Sequence, residues 1–296
     1  MNHISVNNIE LSYDVLGKEN KETVLLIAGL GTQMLRWTIP FCQLLVDKGF
    51  RVIRFDNRDT GQSTHFSKSK TISMQELIQS AQDGKLPEIP YTLFDMAKDA
   101  IGLLDALSID KAHIVGRSMG GIIAQLMASE YPERVSSMTS IMSTSLNPTL
   151  PQAEAQVMGM MLQPKPDYNT DAKGFLEKSL MFAKRIAGSK YPLDEQMTID
   201  ILTEERKRSA GENGLMRQVL AIAATGYDKE RLAKITAPSL IIHGSEDPIF
   251  PVECGRDTAA SIPNSKLLVL DGMGHDIPAE LYATVVDAML ENATCS

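Results

Sequence analysis

Short runs of apolar, β-branched residues alternate with stretches of helical periodicity along most of this sequence, and that alternation narrows the possible folds more than any other feature. Val24 to Ala28, Arg51 to Phe55, Ala112 to Val115, Val135 to Ile141, Ser239 to His243 and Lys266 to Leu270 have the length and composition of buried strands. Amphipathic patterns lie between them. Tyr91 to Leu107 sets Leu93, Met96, Ala97, Ala100, Ile101, Leu104 and Leu107 at helical spacing. Met34 to Lys48 has the same spacing and stops at Gly49, and Met119 to Tyr131 closes before Pro132. Strands that are apolar on both sides need cover on both faces. The pattern therefore predicts an α/β fold, a mostly parallel central sheet with helices on both faces. Ahead of it, His3 to Val6 and Ile9 to Val15 read as a hairpin turning at Asn7 and Asn8.

One stretch breaks the rhythm. Roughly 95 residues separate the strand ending near Ile141 from the one starting at Ser239, whereas a crossover needs about a dozen. The excess reads as several helices punctuated by Pro148, Pro151, Pro164, Pro166 and Pro192. The predicted organisation is a core of residues 1–143 and 232–296, with a helical cap, 144–231, inserted after the sixth strand. Met158, Met160, Met161, Met181, Met197 and Met216 fall in the insert. They could line an adaptable apolar pocket, although packing of the cap helices against one another accounts for most of them. The residues after Glu291 are expected to fray.

Composition excludes several functions. The formal charge is −8 and the basic residues are scattered, which argues against a nucleic-acid partner. Arg206, Lys207 and Arg208 adjoin Glu204 and Glu205 and read as a solvated helix face. The three cysteines, Cys42, Cys254 and Cys295, lie far apart and outline neither a disulfide framework nor a metal site. No basic segment followed by an apolar run opens the chain, and no apolar run is long enough to span a membrane. A cytoplasmic protein is the expectation. Histidines and carboxylates show no metal-ligand spacing, so neither a metal nor an organic cofactor is implied. Nothing in the sequence speaks to oligomeric state.

Gly116-Arg117-Ser118-Met119-Gly120 fits the pattern G-x-S-x-G. The pattern alone is weak, but its setting is specific: it directly follows a predicted strand and opens a predicted helix. A serine there sits on a strained turn that projects its hydroxyl, and the helix N-terminus favours developing negative charge. Arg117 inside the motif could face a substrate anion, but it reads rather as an exposed or partnered arginine. A serine nucleophile needs a base. Of the five histidines, His3 precedes the fold, His113 and His243 sit in strands and His65 in an early loop. His275, in Gly272-Met273-Gly274-His275, is the one in a glycine-flanked loop after a late strand. Three carboxylates compete to orient it. Asp247 directly follows a strand and is followed by Pro248, Glu246 is adjacent, and Asp271 ends the next strand. The order serine, acid, histidine favours Asp247.

The ordered set resembles the α/β-hydrolase superfamily over nearly the whole chain. Its pieces are Gly29-Leu30-Gly31 after one strand, Asp56-Asn57-Arg58-Asp59-Thr60-Gly61-Gln62-Ser63 after the next, the serine motif, Asp247 and His275. The stretch from Arg54 to Thr64, and Gly-Met-Gly-His at 272–275, are most similar to aclacinomycin methylesterase-like serine esterases. The resemblance implies a serine hydrolase cleaving a small-molecule carboxylic ester through Ser118, with an oxyanion hole formed by the Leu30 and Met119 amides. The loop has Ala28 where the superfamily usually has histidine. Backbone donors survive that change. The Asp56–Ser63 loop reads as structural, with Gly61 at positive φ and an Arg58–Asp59 ion pair. Carbon–carbon bond hydrolases and proline iminopeptidases are alternatives on the same fold, but their characteristic loop and elbow sequences match neither Ala28–Thr32 nor Gly116–Gly120. A binding protein with an idle triad is a further alternative.

Overall fold

In the computed structural model, which describes residues 1–69, 76, 79, 83, 87–209 and 214–294, eight strands form one sheet. They are β1 (Asn2–Val6), β2 (Ile9–Leu16), β3 (Glu22–Ile27), β4 (Phe50–Phe55), β5 (Ala112–Arg117), β6 (Val135–Ile141), β7 (Ser239–Gly244) and β8 (Lys266–Leu270). Their order across the sheet is β1-β2-β4-β3-β5-β6-β7-β8. β1, β2 and β4 pair antiparallel, and every pairing from β4 through β8 is parallel. The hairpin turns at Asn7 and Asn8, with φ of 48° and 62°, the left-handed pair that a tight two-residue turn requires.

The strand order positions the site. From β3 the chain moves outward to β4, then returns across β3 to β5 and proceeds the other way. The loops leaving β3 and β5 therefore diverge, and a crevice opens at their carboxyl ends. Such switch points are where open α/β sheets hold ligands.

Alternate residues along the buried strands face opposite layers. Leu25, Ile27, Ile53, Phe55, Ile114 and Ile241 join the core under α2 (Leu93–Ala106) and α3 (Met119–Glu130). Val24, Leu26, Val52, Val115 and Ile242 join the core under α1 (Ile39–Asp47) and α10 (Tyr282–Ala293). Local signals set the helix ends. Thr92 and Asp95 form a capping box at the start of α2. The expected helix from Met34 to Lys48 is split: Met34–Arg36 is one 3₁₀ turn and α1 begins at Ile39. Pro40 cannot donate within a longer helix, and Thr38 caps the new start by accepting from the Phe41 amide. The expected fraying after Glu291 is also wrong for the next residues. α10 runs to Ala293, and buried Asn292 donates to the Met138 and Pro238 carbonyls. Cys295 lies outside the described residues.

Among the described residues, five helices lie between β6 and β7: α4 (Ala155–Leu162), α5 (Ala172–Ile186), α6 (Glu195–Arg208), α7 (Leu215–Thr225) and α8 (Lys229–Ala233). α9 (Val252–Ser261) follows β7. None of the six methionines of the insert is fully buried. Charged and polar groups hold the insert together with buried apolar residues such as Val157, Leu202 and Leu220. Arg208, read from sequence as solvated, is buried and donates to Asp56 Oδ2 at 3.0 Å and Gln33 Oε1 at 2.6 Å. Glu205 accepts two bonds of 2.8 Å from Arg36. The expected Arg58–Asp59 pair does not form. Arg58 binds Asp99, and Asp59 is chelated by Arg217 through two bonds of 2.8 Å. Adjacent residues point apart here because Asp59 adopts a left-handed backbone, φ 65°, that aims its carboxylate at the insert. Burial alone would raise the Asp59 pKa, but hydrogen bonds from Arg217, Tyr91 and the Phe66 amide outweigh it and hold the carboxyl below its ordinary range.

The Asp59–Arg217 side chains are essentially inaccessible. Arg217→Met should therefore cost about 3–5 kcal/mol in urea unfolding, because it strands a buried carboxylate. A loss under about 1 kcal/mol, the range of a surface pair, would show that water reaches this bridge.

Candidate active site

β5 turns into α3 at Ser118, whose backbone lies at φ 53° and ψ −124°. For a residue with a Cβ this conformation costs about 1–3 kcal/mol. Three bonds hold the turn. The Ser118 amide donates to Ile141 O, and Ser118 O accepts from the Gly121 amide and from Ser143 Oγ. The two motif glycines permit the crossing. A Cβ on Gly116 would lie 1.9 Å from the Gly120 carbonyl oxygen, and one on Gly120 would lie 2.3 Å from Ile27 O. Strand, helix and neighbouring strand thus touch backbone to backbone. Arg117 points away from the hydroxyl and binds Asp276 at 2.8 Å and Arg36 O at 3.2 Å.

His275 Nε2 lies 3.0 Å from Ser118 Oγ, and its Nδ1 lies 2.7 Å from Asp247 Oδ2. The carboxylate's other oxygen accepts from the Ile249 and Phe250 amides, both at 2.9 Å. Asp247 thus keeps one oxygen for the imidazole and has the other fixed by its own loop. The rivals are engaged elsewhere. Glu246 accepts from Ser189, and Asp271 is exposed beside Lys190 at 3.4 Å. The Phe250 ring meets His275 edge to face, with centroids 5.8 Å apart. The His275 amide donates to Ile186 O at 2.7 Å, so α5 of the insert grips the histidine loop directly.

The loop after β3 lies against the serine turn. A Cβ on Gly29 would come 3.2 Å from Ser118 Cβ. Among the described residues, the amides of Leu30 and Met119 have no hydrogen-bond partner, and Met119 is the first residue of α3. Unpaired backbone donors aimed at a reacting carbonyl can stabilise an oxyanion.

One residue escaped the sequence reading. His243, set aside because it sits in a strand, is fully buried 3.6 Å from Asp247 Oδ2, and its Nε2 lies 2.7 Å from Phe250 O. Burial outweighs the pull of Asp247 and holds its pKa below the ordinary histidine value, so the ring is neutral near pH 7. It braces the same loop whose amides hold Asp247. The spacing of four residues between His243 and Asp247 was the available signal. Buried Cys42 and Cys254 are pushed up to about 12 and about 11 by desolvation, so neither thiol is a nucleophile at neutral pH. Among the described residues no group of His, Cys, Asp and Glu could hold a metal, and no helix is long and apolar enough to cross a membrane.

A strand-to-helix serine at the switch point of a mostly parallel sheet, joined to a histidine and a carboxylate from later loops, defines a hydrolase of the α/β class. Residues 22–280 match the model of the alpha/beta hydrolase fold, and the chain belongs to that family. It is 26% identical over 308 residues to the rhodomycin D methylesterase DauP of Streptomyces sp. (strain C5), covering 97% of this chain and 95% of that one. It is 27% identical over 262 residues to the poly(3-hydroxyalkanoate) depolymerase of Ectopseudomonas oleovorans, covering 88% and 80%. Its fold is similar to the enol-lactonase of Burkholderia xenovorans LB400, with a TM-score of 0.70, 21% identity, and coverage of 99% and 100%. The protein is a hydrolase.

Gly116→Ala should cost at least about 1–3 kcal/mol in urea unfolding, because the added methyl meets backbone that cannot rotate aside. An unchanged urea midpoint would mean that the crossing is looser than described.

Proposed function

We propose that the protein hydrolyses a small-molecule carboxylic ester through an acyl-enzyme on Ser118. The observation that carries this reading is the hydrogen-bonded chain Asp247–His275–Ser118, which ends at a hydroxyl on a strained turn. His275 Nε2 takes the Ser118 proton as Oγ attacks the ester carbonyl. The Leu30 and Met119 amides hold the resulting oxyanion, and each such donor contributes roughly 3 kcal/mol in comparable sites. His275 then protonates the leaving alcohol. Water attacks the acyl-enzyme by the same route, regenerating Ser118 and releasing the acid. Asp247 keeps the proton on Nδ1 and stabilises the imidazolium.

The methylesterase and poly(3-hydroxyalkanoate) depolymerase relatives are in keeping with an ester, while other relatives at 25–28% identity are named putative carbamate hydrolases. Residues 144–231 act in this reading as a cap that limits substrate size. The free, buried Cys42 and Cys254 suit a reducing compartment, and a cytoplasmic location belongs to the same reading.

A p-nitrophenyl ester series from acetate to long chain, with wild type and Ser118→Ala, tests the proposal. Release by wild type that is lost in the variant is the expected result, and the optimal chain length sizes the site. Equal release by both proteins would remove Ser118 as nucleophile. No release from any ester would shift the assignment to carbon–carbon bond hydrolysis or to binding without turnover. The acid has its own test. Asp247→Asn should lower kcat by about 10⁴-fold, as in triads where the wrong tautomer results, while Asp271→Asn stays within about threefold of wild type. The opposite pattern would transfer the orienting role to Asp271.

A further inference from the structure

We infer that Gln218, on helix α7 of the insert, is a positioning residue for the oxyanion loop, so that seating of the insert and transition-state stabilisation are one event. The inference rests on the acyl-enzyme reading above.

Peptide groups are planar, so holding a carbonyl also orients the N–H on the same plane. Three consecutive peptides run from Ala28 to Gly31, and each is held by one side chain. Asn57 Nδ2 donates to Ala28 O at 3.1 Å. Thr32 Oγ1 donates to Gly29 O at 3.0 Å, on the plane that carries the Leu30 amide. Gln218 Oε1 accepts from the Gly31 amide at 2.8 Å, on the next plane. Leu30 is therefore flanked by one peptide held from within its own loop and one held by the insert. The loop needs holding. Gly29 and Gly31 flank Leu30, and Gly31 lies at φ 63°, where glycine imposes little preference of its own.

Gln218 is itself fixed. It is fully buried, and its Nε2 donates to Arg58 O at 2.8 Å and Thr60 Oγ1 at 2.9 Å. The carboxamide thus bridges the β3 and β4 loops with three of its four hydrogen-bonding positions used. Its neighbour Arg217 is anchored on Asp59, which seats α7 in register. Preorganised donors contribute to catalysis because they need not reorient during reaction. Losing the Gly31 contact leaves the Leu30 amide plane gripped from one side and loosens that preorganisation, without touching the nucleophile or the base.

The test is Gln218→Leu, close in volume and unable to make any of the three bonds. Active sites are counted with a p-nitrophenyl phosphonate, so that a loss of folded protein is divided out. Per titrated site, kcat for a p-nitrophenyl ester should fall about tenfold or more, short of the 10²–10³ seen when an oxyanion donor is removed outright, while KM stays within about threefold. A trifluoromethyl ketone, whose hemiketal oxyanion occupies the same donors, should lose affinity by the same factor as kcat. A purely structural glutamine would lower the melting temperature and leave both unchanged per site, and that result overturns the inference. Wild type that neither titrates nor turns over ester would bring down the acyl-enzyme reading and this inference with it. That outcome is distinct from a wild type that titrates and is matched by Gln218→Leu.

Discussion

Ser118 holds a backbone conformation that a residue with a side chain adopts only when its surroundings leave no alternative, and the surroundings here are other backbone. β5 must enter α3 within one residue, over the end of β3, and that crossing fits only where Gly116 and Gly120 carry no Cβ. The bonds from Ile141, Gly121 and Ser143 offset the strain. Once the turn is set, the rest of the site follows from the sheet. The strand order reverses between β3 and β5, so the serine, the Gly29–Gly31 loop and the loops after β7 and β8 are brought to one edge.

The insert is seated on that edge by discrete polar contacts as well as by buried apolar residues such as Val157, Leu202 and Leu220. Arg208 reaches Asp56, Arg217 reaches Asp59 and Arg36 reaches Glu205, while the insert's methionines stay at or near the surface. Buried ion pairs are weak sources of net stability, because desolvation consumes most of the Coulombic gain, but a wrong register leaves charges stranded. Such contacts define one seat. From it the Ile186 carbonyl holds the His275 amide and the Gln218 side chain holds the Gly31 amide, so the insert grips the His275 loop and the Gly29–Gly31 loop at their backbone N–H groups.

The legible and illegible parts of the molecule divide along a physical line. The strands, the helices over them and the serine turn were readable because period, caps and glycine spacing act over a few residues. Ser118, His275 and Asp247 were selected from such local contexts, and the structure brings those three side chains into one hydrogen-bonded line. The errors have a common origin. Arg58 and Asp59 were paired because they are adjacent, yet their partners lie on α2 and α7. Arg208 looked solvated because its neighbours are charged, yet a buried carboxylate waits for it. His243 was set aside because it ends an apolar strand, and it lies against Asp247.

By itself the sequence determined the class of fold, and it singled out Ser118, His275 and a short set of carboxylates led by Asp247 as candidates for one site. Each of these depends on backbone preference or burial pattern over a short span. Only the tertiary structure decided which carboxylate meets His275, which charges pair across the β4 loop and the insert, and that Gln218 grips the Gly31 amide. Those contacts join residues far apart along the chain, and a hydrogen bond is specified by the distance and direction between its atoms. Nothing in the local sequence encodes either quantity until the sheet and the insert have assembled.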